Sequence, residues 1–226
     1  MDSNLDLSSN TLIASKILDR NLVSKNHIAR FFDISLILFA APYIILAFLV
    51  IAILVKLDSP GPVFFRQRRI GRFGRKFHVY KFRTMVQNAD QILQNYLDNS
   101  PQLKVQWLAT HKLKQDPRVT RLGALLRKSS LDELPQLWNI LIGDMSLVGP
   151  RPIVDAEVEK YGKCFELYIQ VRPGLTGLWQ VSGRNNTTYE HRVELDEYYV
   201  RNRSLKLDLQ ILWKTVFVVL RKTGAY

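Results

Sequence analysis

Residues 34–55 read ISLILFAAPYIILAFLVIAILV without one charged side chain. About 20 such residues suffice for a helix to cross the hydrocarbon core of a bilayer. The segment starts too late, runs too long and lacks a small-residue cleavage site, so it is not read as a cleavable leader. Basic residues flank it on both sides: Lys16, Arg20, Lys25 and Arg30 before it, then Arg66, Arg68, Arg69, Arg72, Arg75, Lys76, Lys81 and Arg83. Such flanks stay on the cytoplasmic side. A simple span would carry one of them across, whereas a re-entrant hairpin keeps both in the cytoplasm. Pro42 removes a helical hydrogen bond at mid-segment, yet spanning helices tolerate proline as a kink. On these grounds span and re-entrant helix stand level.

The rest of the chain reads as one unit with no repeat or linker. Residues 1–29 form a tail with a short helix near 12–22, residues 30–56 the membrane helix, and residues 57–226 one compact domain. Its fold class is α+β and mostly helical. Asp58-Ser-Pro-Gly-Pro62 is a turn, and period-two alternation predicts short strands over 64–69 and 76–82 around Gly71-Arg-Phe-Gly74, a β-hairpin. Helices are expected over 90–107 (interrupted near Pro101), 119–126, 134–142, 157–171, 189–201 and 205–220, with 177–183 irregular or briefly extended. Residues 205–220 (LKLDLQILWKTVFVVL) are apolar over most of their circumference and suit a membrane interface, the alternative being a buried core helix. Cys164 is the only cysteine, so no intrachain disulfide forms and a reducing compartment fits.

A net charge of +12 calls for an anionic partner: nucleic acid, lipid headgroups or a phosphorylated substrate. Residues 128–136 (KSSLDELPQ) and 145–152 (MSLVGPRP) point to the last. Ser130-x-x-Glu133 before an apolar run has the form of a capping box, a purely structural feature. Pro135 fits better with Asp132 as the N-cap, since proline is tolerated in the first helical turn. In either case a carboxylate meets the positive end of a helix dipole and is expected to be ionised and exposed, as a metal ligand or a carboxylate nucleophile requires. Arg127 precedes the acidic pair, and Arg151 stands between two prolines that hold its backbone stiff for bidentate phosphate binding. Lys81 and Arg83 are expected on one strand face, within reach of one anion, and Arg184 lies in a further polar cluster, Gly183-Arg-Asn185. No zinc-ligand spacing, phosphate-cradling loop, dinucleotide fingerprint or Gly-x-Ser-x-Gly elbow is present. Phe73, Phe77, Tyr80 and Phe82 near basic residues could stack on bases, but read better as strand residues, so no nucleic acid is expected.

In the same order along the chain stand residues 59–67 (SPGPVFFRQ), 81–85 (KFRTM), 116–120 (DPRVT), 130–136 (SLDELPQ), 143–152 (GDMSLVGPRP), 172–177 (RPGLTG) and 181–185 (VSGRN). With these motifs the chain resembles the bacterial sugar transferases, monotopic polyprenyl-phosphate sugar-1-phosphate transferases, from about Arg30 onward. Its tail and ending look most like the undecaprenyl-phosphate galactose phosphotransferases. The resemblance implies a re-entrant helix broken at Pro42 on the inner membrane, with the catalytic domain on the cytoplasmic face; Ala41 stands where the family usually has serine. It implies Mg2+, a UDP-sugar donor, an undecaprenyl phosphate acceptor, contact with membrane lipid and room for a homo-oligomer. Asp132 would attack the sugar-bearing phosphorus and expel UMP, forming an aspartyl-phosphosugar that undecaprenyl phosphate then attacks. The product would start exopolysaccharide, capsule or O-antigen synthesis. Asp132 and Glu133 would hold the metal, Arg127 and Arg151 would bind phosphoryl oxygens, and Lys81, Arg83 and Arg184 would assist. The galactosyl donor rests on overall likeness, with UDP-glucose as the alternative. A basic membrane-anchored binding protein without catalysis is the reading from another class.

Overall fold

A computed structural model of the chain describes residues 20–110, 113, 116–183 and 187–221. The first element is one long helix, α1 (Arg20–Asp58), which starts well before the expected Arg30 and contains Pro42 without ending there. Most of the expected 12–22 helix lies outside the described residues. Ser59-Pro-Gly-Pro62 stops α1, with Gly61 at φ +124°. Helix α1 is long and apolar enough to cross a membrane, and little of its apolar stretch is buried. It nevertheless touches the rest of the protein near both ends. Ile37 joins the main core, while Ile51 and Val55 pack with Phe82 and Leu126. Leu38, Phe39, Tyr43, Leu46 and Leu49, between them, are exposed.

Strands β1 (Phe64–Ile70) and β2 (Lys76–Phe82) pair antiparallel, from Phe64↔Phe82 to Ile70↔Lys76. Phe73 and Gly74, both at positive φ, close the turn. Phe77 and Val79 face the core, as their alternation predicts. Helices α2 (Ala89–Asp98) and α3 (Pro101–Thr110) follow, broken before Pro101 as expected. Residues 116–120 are structural: Asp116 accepts from the Arg118 guanidinium at 2.6 and 2.8 Å, and Thr120 caps α4 (Arg121–Ser129) by accepting from Gly123 N. A 3-10 turn (Leu131–Glu133) leads into α5 (Gln136–Ile142), shorter than the 134–142 expected.

Strand β3 (Ser146–Val148) pairs in parallel with β4 (Gly174–Thr176), a sheet that three-residue strands are too short to announce by alternation. At its end the backbones approach so closely that a Cβ on Gly174 would lie 2.1 Å from Gly149 N, which explains both glycines. The single helix expected over 157–171 is instead broken into α6 (Val158–Tyr161) and α7 (Phe165–Tyr168) with 3-10 turns around them, because Gly162 adopts φ +49° and ψ −128°. Residues 178–181, expected to be irregular, form one helical turn, α8 (Leu178–Val181). The chain then forms α9 (Tyr189–Asn202) and α10 (Leu205–Leu220), the latter with the expected bounds. Helix α10 buries Asp208 and Ile211 and exposes Leu205, Leu209, Trp213, Val216, Phe217 and Leu220.

A second core joins Ile70, Ile153, Tyr161, Tyr168 and Val193. Beside it Asp196 accepts a 2.7 Å hydrogen bond from Tyr161 Oη, and burial pushes its carboxyl up to about 7. A carboxyl whose folded value lies above its unfolded one, about 3.9, stabilises the fold when protonated. That contribution is complete below about pH 4 and lost as pH rises through about 7. Asp196→Asn should therefore flatten the fall in Tm between pH 4 and 7, measured by thermal unfolding in detergent; an unchanged slope would show that other groups dominate.

Candidate functional site

The site begins where α4 ends. Ser130 adopts φ +58°, which stops α4 and reverses the chain into the 131–133 turn. Asp132 is thereby turned inward and is 8% exposed. This corrects the expectation of an exposed N-cap carboxylate. The Ser130 side chain makes no capping bond, and Pro135, not Asp132, stands at the N-terminal boundary of α5. Glu133 accepts from Lys81 Nζ at 2.6 Å, and Asp132 Oδ2 lies 3.9 Å from the same ammonium. Burial pushes the Asp132 carboxyl up to about 6, against the pull of Lys81 and Arg127 and with help from its neighbour Glu133. The helix-dipole account of its charge is thus replaced by one of burial opposed by two cations.

Arg127 Nε donates to Thr84 Oγ1 at 2.9 Å, which holds the guanidinium on the side of Asp132. Arg151 lines an open cleft together with Gln67, Arg69, Val79, Lys81, Glu133, Gln136, Leu175 and Gln180. The backbone around Arg151 is held on both sides. The Pro150 carbonyl accepts from Gly174 N at 2.8 Å, and the Pro152 carbonyl from Arg69 Nη1 at 3.1 Å. Lys81, Glu133 and Arg151 are therefore brought to one cavity, and Asp132 adjoins it through Lys81.

Arg83 is not brought there. β2 ends at Phe82, and the Arg83 guanidinium donates instead to the carbonyls of Val55, Ser59 and Pro62. The expectation that Lys81 and Arg83 share a strand face and one anion fails for that reason. Arg184 lies outside the described residues. Arg69, absent from the sequence reading of the site, lines the cleft and lies 3.6 Å from Glu157, which also holds Arg192 at 3.3 Å. Its strand parity was the available signal: Arg69, Gln67, Lys81 and Val79 fall on one face of the hairpin.

Among the described residues no three His, Cys, Asp or Glu side chains gather as a metal cage. Asp132 and Glu133 could supply the one or two carboxylates through which Mg2+ is usually held alongside phosphate oxygens and water. The arrangement can therefore offer a nucleophilic oxygen, a hard-cation site and three basic side chains to a phosphorylated ligand.

Residues 24–222 match the family model described as "Bacterial sugar transferase". The chain is 48% identical over 197 residues to the "Exopolysaccharide production protein ExoY" of Sinorhizobium fredii, covering 87% of each chain. It is 52% identical over 166 residues to the "Undecaprenyl-phosphate galactose phosphotransferase" of Salmonella typhimurium, covering 74% of this chain and 35% of that one. It is 44% identical over 186 residues to the "UDP-glucose:undecaprenyl-phosphate glucose-1-phosphate transferase" of Xanthomonas campestris, covering 79% of this chain and 36% of that one. The chain thus spans about a third of the latter two.

The Lys81 contact can be measured directly. Lys81→Met strands two adjacent carboxylates and should cost about 1–3 kcal/mol, part of which Glu133→Gln restores in the double variant. Thermal unfolding of the four proteins gives the coupling, and additive effects would deny it.

Proposed function

The chain belongs to the bacterial sugar transferase family, and we propose that it moves a hexose-1-phosphate from a UDP-sugar to undecaprenyl phosphate at the cytoplasmic face of the inner membrane. The observation that carries this reading is the placing of Asp132 and Glu133 against Lys81, which with Glu133 and Arg151 lines one cleft. A carboxylate held between cations can attack phosphorus only if its partners also steady the phosphoryl oxygens.

In the first step an Asp132 carboxylate oxygen bonds to the sugar-bearing phosphorus, and the bond to the oxygen of UMP breaks. In the second, an oxygen of undecaprenyl phosphate attacks the same phosphorus. The aspartyl oxygen leaves as the carboxylate, and the lipid carries a diphosphate-linked hexose. Lys81, Arg127 and Arg151 counter phosphoryl charge in both steps. Magnesium, held by Asp132 and Glu133, would supply further positive charge there. Two steps at one nucleophile let a soluble nucleotide and a membrane lipid use the cleft in turn. Galactose is the proposed sugar on overall likeness; the name of the Xanthomonas relative makes UDP-glucose the second donor to test. The name of the ExoY relative supports a place in exopolysaccharide production.

Both ends of the apolar stretch of α1 pack on the same body, which supports a re-entrant helix with both flanks in the cytoplasm. The exposed apolar side of α10 supports seating at the membrane interface.

With UDP-sugar and magnesium but no lipid, the protein should gain the mass of one hexosyl phosphate on the peptide carrying Asp132 and release UMP. Asp132→Asn should do neither, and turnover retained by that variant would remove the nucleophile assignment. Topology is checked separately. In a Cys164→Ser background, cysteines introduced at His27 and Asp58 should both react with an impermeant thiol reagent from the cytoplasmic side. Labelling from opposite sides would establish a span.

A further inference from the structure

The acceptor's phosphate must reach Lys81 while its prenyl chain remains in the bilayer, so some apolar surface has to join the two. Phe65 stands directly across from Lys81 in the hairpin, and opposed side chains in such a pair share a face, with Cβ atoms about 4.5–5.5 Å apart. The same face carries Gln67 and Arg69, both lining the cleft. Phe65 is the next residue on that face toward α1 and is 51% exposed, an apolar ring at the edge of a charged cavity. Its neighbour Phe64 points to the other face, where its ring lies 5.6 Å from those of Phe48 of α1 and Phe82. The apolar membrane helix, the start of β1 and the lysine beside the nucleophile are therefore contiguous.

We propose that Phe65 forms an apolar lip over which the prenyl chain of the acceptor passes from the bilayer to the cleft, so that it is a binding residue for the lipid substrate alone. This rests on the transfer reaction given above. The chain covers an aromatic ring that the protein otherwise leaves in water, and the ring keeps the first isoprene units off Lys81 and Glu133, whose desolvation would be costly. The sugar nucleotide, wholly polar, has no use for it. The donor half-reaction is accordingly independent of Phe65.

The test uses the full chain in detergent micelles with a UDP-sugar, magnesium and undecaprenyl phosphate, following UMP. Phe65→Ser should raise KM for undecaprenyl phosphate about ten- to a hundredfold, the scale expected for removing one buried phenyl ring. It should leave kcat at saturating acceptor and the acceptor-free burst of UMP unchanged, and Phe65→Leu should recover most of the loss. Phe73→Ser, which removes a ring 50% exposed at the far turn of the hairpin, should match the wild type. An unchanged acceptor KM, an equal effect of Phe73→Ser, or a parallel loss of the donor burst each overturns the proposal. The second result would mean general adsorption to lipid and the third a structural role. No burst from the wild-type chain with any UDP-sugar would overturn the underlying reaction, and the lip with it.

Discussion

One ammonium group holds the site together. Adjacent carboxylates in a tight turn repel one another, and burial of Asp132 adds to the cost of its charge. Lys81 answers both, and in doing so fastens β2 to the 131–133 turn. Which side chain occupies that place depends on strand parity. A slip of one residue would turn Lys81 to the other face and present Phe82 or Tyr80 instead. Buried Val79 and Phe77, two and four positions before Lys81 on the same face, prevent the slip. Core packing thus decides where the cation stands.

Polar side chains make a second set of fastenings, between the membrane helix and the body. Arg30 donates to the Ile140 and Leu141 carbonyls in the last turn of α5. Asp33, one turn on, is buried and accepts from Ser146 Oγ at 2.7 Å and Leu147 N at 3.1 Å in β3. Arg83 closes the other end by taking carbonyls at and beyond the last turn of α1, where a cation also suits the helix dipole. α5 follows the acidic pair and β3 precedes Arg151, so α1 helps to position residues on both of these cleft-lining segments.

Several elements were readable because their signal is local. α10 has Ser204 as its cap and is apolar over most of its circumference, and its bounds were right at both ends. The hairpin alternates, and the turn at residues 58–62 is built from residues that permit little else. The 157–171 region misled because nothing in its composition shows that Gly162 takes a conformation that breaks a helix. The β3–β4 pair was invisible because its strands are three residues each and lie far apart in the chain.

Composition, the uncharged run at 34–55 and the ordered motifs were enough to indicate a mostly helical α+β chain with one long apolar helix, to place it in a known family and to nominate Asp132, Glu133, Arg127 and Arg151 as its candidate site. Such features are carried by near neighbours in the chain and survive without coordinates. The burial of Asp132, its link to a lysine about fifty residues earlier, the recruitment of Arg69 and the removal of Arg83 to the end of α1 were not available in that way. Each depends on contacts between distant segments, and packing sets those by shape, parity and the need to satisfy buried polar groups.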